Sequence, residues 1–258
     1  MKTIHGQTPG FVHYWNEFVS PVLGARFRPP IMRGYARFVS STGMEEMVAK
    51  AIQQELAEGK QDPYDSHPTL RERIDAVAAI TVQGEDDADV AITLVDNVDE
   101  LERTLLESQM PEELVESLEP IEWEDVADKV FLPTWRRWHE KNSAVVKGWT
   151  PPKLPQAADN LGEFVRGLKA PNGENIPREH WANAAAYTLS VGFAMALLRD
   201  GWELSVCPSQ GIFFIKGESK IDPFSLVIAM GHASVSPEGW HKQCEEMGIM
   251  DLDLGGEA

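Results

Sequence analysis

Along the first part of the chain apolar positions recur every three to four residues, the period of helices with one buried face. Thr8-Pro9 supplies a capping hydroxyl followed by a proline suited to the first helical position, and Phe11, Trp15, Phe18 and Val22 then mark one face. "FRPP" breaks that pattern, and a second helix is predicted from Pro30 towards Ser40, with Ile31, Tyr35 and Phe38 inside. Thr42 and Glu45 have the spacing of a capping box. Behind them Met44, Met47, Val48, Ala51 and Ile52 repeat at helical intervals, and Gly59 closes the predicted helix. Further on, Pro68 marks a helix start, Thr69 and Glu72 form a second candidate box, and Leu70, Ile74 and Val77 make the inward side.

Asn97 and Glu100 predict a cap for a helix striped by Val98, Leu101 and Leu105, and another helix is predicted from about Glu122 to Val130. Pro133 begins a longer one, in which Trp135, Trp138, Asn142 and Val145 share a face and Gly148 ends the run. "WTPPKLP", Trp149 to Pro155, reads as a linker. After it, Leu161, Phe164, Val165 and Leu168 mark a short helix, and Pro177 to Arg199 a long one. The period then changes: "WELSV" alternates apolar and polar residues, "GIFFIK" is a short apolar run, and "CPSQ" between them predicts a β-hairpin. Two helices finish the chain, Pro223 to about Ala233 and Pro237 to about Met247, the last capped by Ser236. The predicted fold class is mainly α: a multi-helix assembly with one small β-hairpin in a C-terminal α+β subdomain. The expected divisions are a helical region over 1–82, an acidic helical segment over 83–148, the linker 149–155, and the α+β subdomain 156–258.

A chain of 258 residues with 43% hydrophobic content and eight tryptophans can bury a core without staples. Its two cysteines, Cys207 and Cys244, have no paired spacing, which fits a reducing compartment and excludes a cysteine-based zinc site. Charge changes the picture more. From Glu85 to Asp128 there are 17 acidic residues and one basic residue, Arg103, so this stretch carries −16 of the net −18. Phosphate binding needs clustered Lys and Arg, so nucleic acid is not an expected partner and anionic membranes are disfavoured; the segment reads as a solvated acidic face or connector, and any partner it has would be a basic protein. "MKTIHGQTPGF" lacks the apolar core of a signal peptide. Ala182 to Leu198 is uncharged, but Leu189, Phe193 and Leu197 at spacing four read as a core stripe, so the chain is expected to be soluble without a membrane span.

Most chemical motifs are missing: there is no G-x-S-x-G, Walker A, G-x-G-x-x-G or EF-hand loop. "HEKNS", His139 to Ser143, has Ser143 where a zincin helix needs its second histidine, so a surface helix is expected there. Asp62, Asp65 and His67 lie close together in "DPYDSHPTLRERI" and offer a loop metal cluster as one reading, with a simple capped helix start as the other.

"SHPTLRERI" resembles the His-Pro signature of the HtpX-like and CAAX-prenyl-protease-like zinc metallopeptidases. That pattern runs H-P-(P/T)-x-x-E-R-(I/L), and His67, Pro68, Thr69, Glu72, Arg73 and Ile74 fit it. "YWNEFVSPVLGARFRPPIMRGYARFVSS" is similar to the helical segment before the signature in large bacterial members. "IEWEDVADKVFLPTWRRW" and "GWHKQCEEMGI" are similar to their long tail. The resemblance implies zinc held by an H-E-x-x-H helix and a downstream Glu, both preceding the region this chain resembles, and neither motif occurs in it. It therefore implies the C-terminal, post-metal-site portion of a zinc metalloendopeptidase, inactive alone. By the same resemblance His67 donates to the oxyanion and Arg73 holds that geometry, as accessory catalytic residues. No metal ligand or cofactor is expected within the chain itself, and its partner would be the rest of the catalytic domain. The expected location is cytoplasmic, with membrane association through the N-terminal part. A stand-alone, non-catalytic interaction protein derived from that family is the alternative, and a metal site built from His5, His13 and His67 is a third reading.

Overall fold

The computed structural model describes residues 10–58, 68–78, 80, 91–170, 174–232 and 235–256. It is mainly α, with a small β element in the C-terminal part. The chain divides into two units: Met1–Trp123 with Pro208–Gln210, and Glu124–Cys207 with Gly211–Ala258. The division falls inside the acidic segment.

Unit 1 begins with helix α1, residues 10–24, which contains a π turn at Trp15–Val19. There the Ser20 N–H reaches back five residues to the Trp15 carbonyl, inserting one residue per turn. The buried face consequently passes through Tyr14, Phe18, Val19 and Val22, while Phe11 and Trp15 of the expected stripe turn outwards. Strand β1 (Phe27–Arg28) pairs in parallel with β2 (Glu119–Pro120), a two-residue ladder with no periodic signal in the sequence. Helix α2 (Ile31–Val39) follows, with Ile31 and Phe38 buried as expected and Gly34 inside beside them.

The core of this unit is aromatic. Tyr14 is fully buried, with the rings of Phe38, Trp123 and Phe18 centred 5.5, 6.0 and 6.1 Å away. Its hydroxyl donates to the Ile31 carbonyl at 2.8 Å, and Trp123 Nε1 donates to the Pro30 carbonyl at 3.0 Å. Both bonds end on the start of α2, which has no capping side chain of its own. Helix α3 (Thr42–Glu58) buries Met44, and α4 (Leu70–Ala78) buries Leu70. After a 3₁₀ turn at Ala91–Leu94 comes α5 (Val98–Ser108), then the short α6 (Glu112–Val115). The expected Asn97 cap is not made: Asn97 sits in the left-handed region at φ +55, where its side chain does not reach the helix amides.

Unit 2 opens in a π turn at Ala127–Phe131 that runs without a break into α7 (Leu132–Asn142), so the two helices expected on either side of Pro133 are one. Pro133 falls at the join, where π hydrogen bonding gives way to α. Pro151–Asn160 forms a 3₁₀ stretch and α8 spans Leu161–Arg166. The stretch expected as a linker lies inside this unit. Pro151 and Leu154 are buried, and the Pro151 carbonyl accepts from Trp240 Nε1 at 2.7 Å.

Helix α9 (Trp181–Arg199) is the centre of unit 2, buried on every side from Thr188 to Leu197. Its apolar composition reflects that position: α7, α8 and α10 pack around it. Strands β3 (Glu203–Cys207) and β4 (Gly211–Lys216) form the expected hairpin. A third strand, β5 (Ser219–Ile221), extends it through a tight turn with Gly217 at φ +60. Helix α10 (Pro223–Gly231) is capped by Asp222, and α11 (Pro237–Met247) by Ser236, whose Oγ accepts from the Gly239 N–H at 3.1 Å.

Candidate functional site

Pro68 and Thr69 lead into α4, and the second capping box is made in both directions. The Thr69 N–H donates to a Glu72 carboxylate oxygen at 2.9 Å, and the Glu72 N–H donates to Thr69 Oγ1 at 3.3 Å. Arg71 ties this helix to α3 through its guanidinium, which donates to the Leu56 carbonyl. Arg73 lies half-buried in the first turn of α4, its N–H donating to the Thr69 carbonyl at 3.0 Å. His67, Asp62, Asp65 and His5 lie outside the described residues, as does the cap expected at Thr8. His13 is exposed on α1, its ring 5.8 Å from that of Phe38. Among the described residues no three His, Cys, Asp or Glu side chains converge on a point where a metal could sit.

His139 corrects the expectation of a surface helix at "HEKNS". The helix is present, but His139 is buried and its Nε2 lies 2.8 Å from the Leu254 carbonyl. Its neighbour Asn142, also buried, accepts from the Lys169 N–H at 3.0 Å through Oδ1 and donates to the Trp138 carbonyl at 3.2 Å. Both side chains stitch α7 to distant segments, a structural use of polar groups in a core. The segment around Leu254 is held further by Asp253, whose Oδ1 accepts from Gly148 N–H at 2.9 Å and Gly255 N–H at 3.0 Å. Burial works against the Asp253 carboxylate. The two backbone donors, with Arg199 and Lys147, outweigh it and hold its pKa below the usual range.

An apolar groove of about 680 Å³ lies between α1 and α5 in unit 1. Phe11 and Trp15 line one side, Leu101 and Leu105 the other, and Ile31 and Met32 are also among its walls. Large apolar side chains here are open to solvent: Leu105 is 67% exposed, Leu101 47% and Met32 42%. Glu102 is the one carboxylate among the described lining residues, and it completes the start of α2 by accepting from the Ile31 N–H at 2.9 Å and the Met32 N–H at 2.5 Å. A carboxylate at a helix N-terminus is stabilised by the aligned peptide dipoles. Burial, and then the negative charge of Glu102, push the Tyr14 hydroxyl far above the ordinary tyrosine range, so it stays a donor. The Val98, Leu101, Leu105 stripe is visible in the sequence, but its helical period alone predicts a buried face.

In unit 2 a second cavity, about 550 Å³, lies beside Lys220, Asp222, Ser225, Gln243 and Glu246. Asp222 and Ser225 are already engaged there in the α10 cap. Comparison with known proteins finds no family model, no curated protein and no solved structure that matches this chain.

Proposed function

We propose that this chain is the C-terminal, post-metal-site portion of a bacterial-type zinc metalloendopeptidase, in which peptide-bond hydrolysis belongs to the complete protein and the chain alone is inactive. The observation that carries the reading is the reciprocal cap between Thr69 and Glu72. It gives a physical reason for two positions of the His-Pro pattern: Thr and Glu at that spacing fix where α4 begins, immediately after His67-Pro68. Arg71 then anchors that start to α3. In the complete enzyme His67 donates to the oxyanion that develops on the substrate carbonyl, and Arg73 is the positioning residue beside it. Zinc is assigned to the H-E-x-x-H part of the complete protein, so no step is routed through a metal held by this chain. Cytoplasmic location, with membrane association through the N-terminal part, goes with this reading.

The test is a comparison of two proteins. The 258-residue chain should carry no stoichiometric zinc and show no proteolysis. The product of the reading frame continued upstream through an H-E-x-x-H helix should be active, and His67→Ala should lower its kcat by about a hundredfold or more with little change in KM. One zinc per 258-residue chain, an upstream frame without that helix, or normal turnover in His67→Ala would each refute the reading. The second reading, a non-catalytic interaction protein derived from the same family, is favoured by the exposed apolar groove of unit 1.

A further inference from the structure

We propose that the groove between α1 and α5 is a docking site for a cationic amphipathic helix. The proposal rests on the groove alone and stands whether or not the peptidase reading does. Its floor and walls present the side chains that helix-in-groove recognition uses. Val98, Leu101 and Leu105 follow each other at three and four residues along α5, facing Phe11 and Trp15 on α1. Seven residues of helix rise about 11 Å, which matches roughly two turns of a partner carrying apolar anchors at i, i+3 or i+4, and i+7. Soluble chains rarely leave several large apolar side chains exposed together unless something covers them.

Charge decides what kind of helix. Asp96 is exposed between the groove residues Val95 and Val98, and Glu112 and Glu113 are exposed just beyond Met110 at the end of the groove. Two of the described cations near α5 are already engaged. Arg103 pairs with Glu100 at 2.5 Å and Glu107 at 3.6 Å, and Arg28 pairs with Glu107 at 3.4 Å. A partner with Lys or Arg flanking its apolar face meets attraction around the groove, and one flanked by Glu meets repulsion. From Asp96 to Glu122, within unit 1, the chain carries ten acidic residues and one basic residue, Arg103, so this preference extends beyond the immediate rim.

The probe is a synthetic helical peptide of about 14 residues, with leucines on one face and lysines on the other, together with its twin in which every lysine is glutamate. Binding to the full 258-residue chain is followed by fluorescence polarisation at about 0.1 M salt. The lysine peptide should bind with micromolar affinity and the glutamate twin at least about tenfold more weakly. Leu101→Gln and Leu105→Gln keep the net charge and replace exposed side chains with a good helix former, so the fold survives. Each should weaken the lysine peptide by about tenfold or more, as loss of an apolar anchor does. Binding unchanged by both variants would mean attraction to the acidic surface at large and would overturn the proposal. Equal binding of the twins, or no binding of either, would also overturn it. So would a chain that is dimeric in light scattering and becomes monomeric in Leu105→Gln, which would assign the groove to a second copy.

Discussion

Gly34→Ala is the smallest change that tests the packing of unit 1. A Cβ at Gly34 would fall against the Tyr14 hydroxyl and stand 2.5 Å from Nε1 and 2.6 Å from Cε2 of Trp123. Ordinary contact begins at 3.4 Å, so the rings would have to withdraw by roughly 1 Å. Neither is loose: Tyr14 and Trp123 are buried and hydrogen-bonded to the start of the same helix that would push them away. Overpacking of this kind costs about 1–3 kcal/mol, and stretching the two hydrogen bonds, one buried and one partly buried, adds about 1 kcal/mol each. Alanine returns about 1 kcal/mol through its better helix propensity. The net is a destabilisation of about 3 kcal/mol, or roughly 10 °C in the Tm of a unit this size. Urea unfolding, with hydrogen exchange of the amides in α2 to localise the effect, measures it. The paired variant Tyr14→Phe removes the hydroxyl that the new methyl meets, so Gly34→Ala should cost at least about 1 kcal/mol less in that background. A Gly34→Ala protein as stable as the parent, or stabilised as an ordinary helix position would be, refutes the argument. So does a cost that is identical with and without the Tyr14 hydroxyl.

Asp253 has a lowered pKa in the folded chain, so its contribution is complete above the unfolded value of about 3.9 and is lost as pH falls through the folded value. Asp253→Asn should therefore flatten the acid limb of a plot of Tm against pH below about 4, and an unchanged limb would count against the role given to Gly148 and Gly255. Cys244 is fully buried and its thiol is pushed up to about 12 by burial. A thiol reagent at pH 8 should modify Cys207 in the native chain and reach Cys244 only on unfolding; equal rates at both would contradict the packing of α11.

Helices in this chain announce themselves where a cap and a stripe coincide, as at Thr69 and Glu72 or at Ser236 and Trp240. The π turns do not, because nothing in a 3.6-residue pattern marks an inserted residue, and α1 therefore turns Phe11 and Trp15 away from the side its spacing predicts. The β1–β2 pair joins residues about ninety positions apart through two residues each, too short for alternation to register. Prolines misled in the other direction: "WTPPKLP" has linker composition, yet Pro151 gives its carbonyl to Trp240 within a packed unit. His139 looks like a surface residue because burial of a polar group depends on its partner, here Leu254, far along the chain, whereas Asn142 is buried on the face it shares with Trp135. The groove was half legible. Its apolar stripe was visible, but only the folded chain shows Glu102 turned to α2 and the leucines left open.

The start of α2 waits for help from far downstream, from Glu102 and Trp123. On a ribosome adding about 5–20 residues per second, the interval between making Ile31 and making Trp123 is roughly 5–20 s. Throughout it Tyr14, Phe18 and Phe38 have been synthesised but the ring that completes their cluster has not. The nascent chain thus carries a sticky aromatic surface for seconds, long enough to attract chaperones or a neighbouring chain on the same message. Slowing translation just before codon 123 should worsen aggregation, and slowing it just after should relieve it.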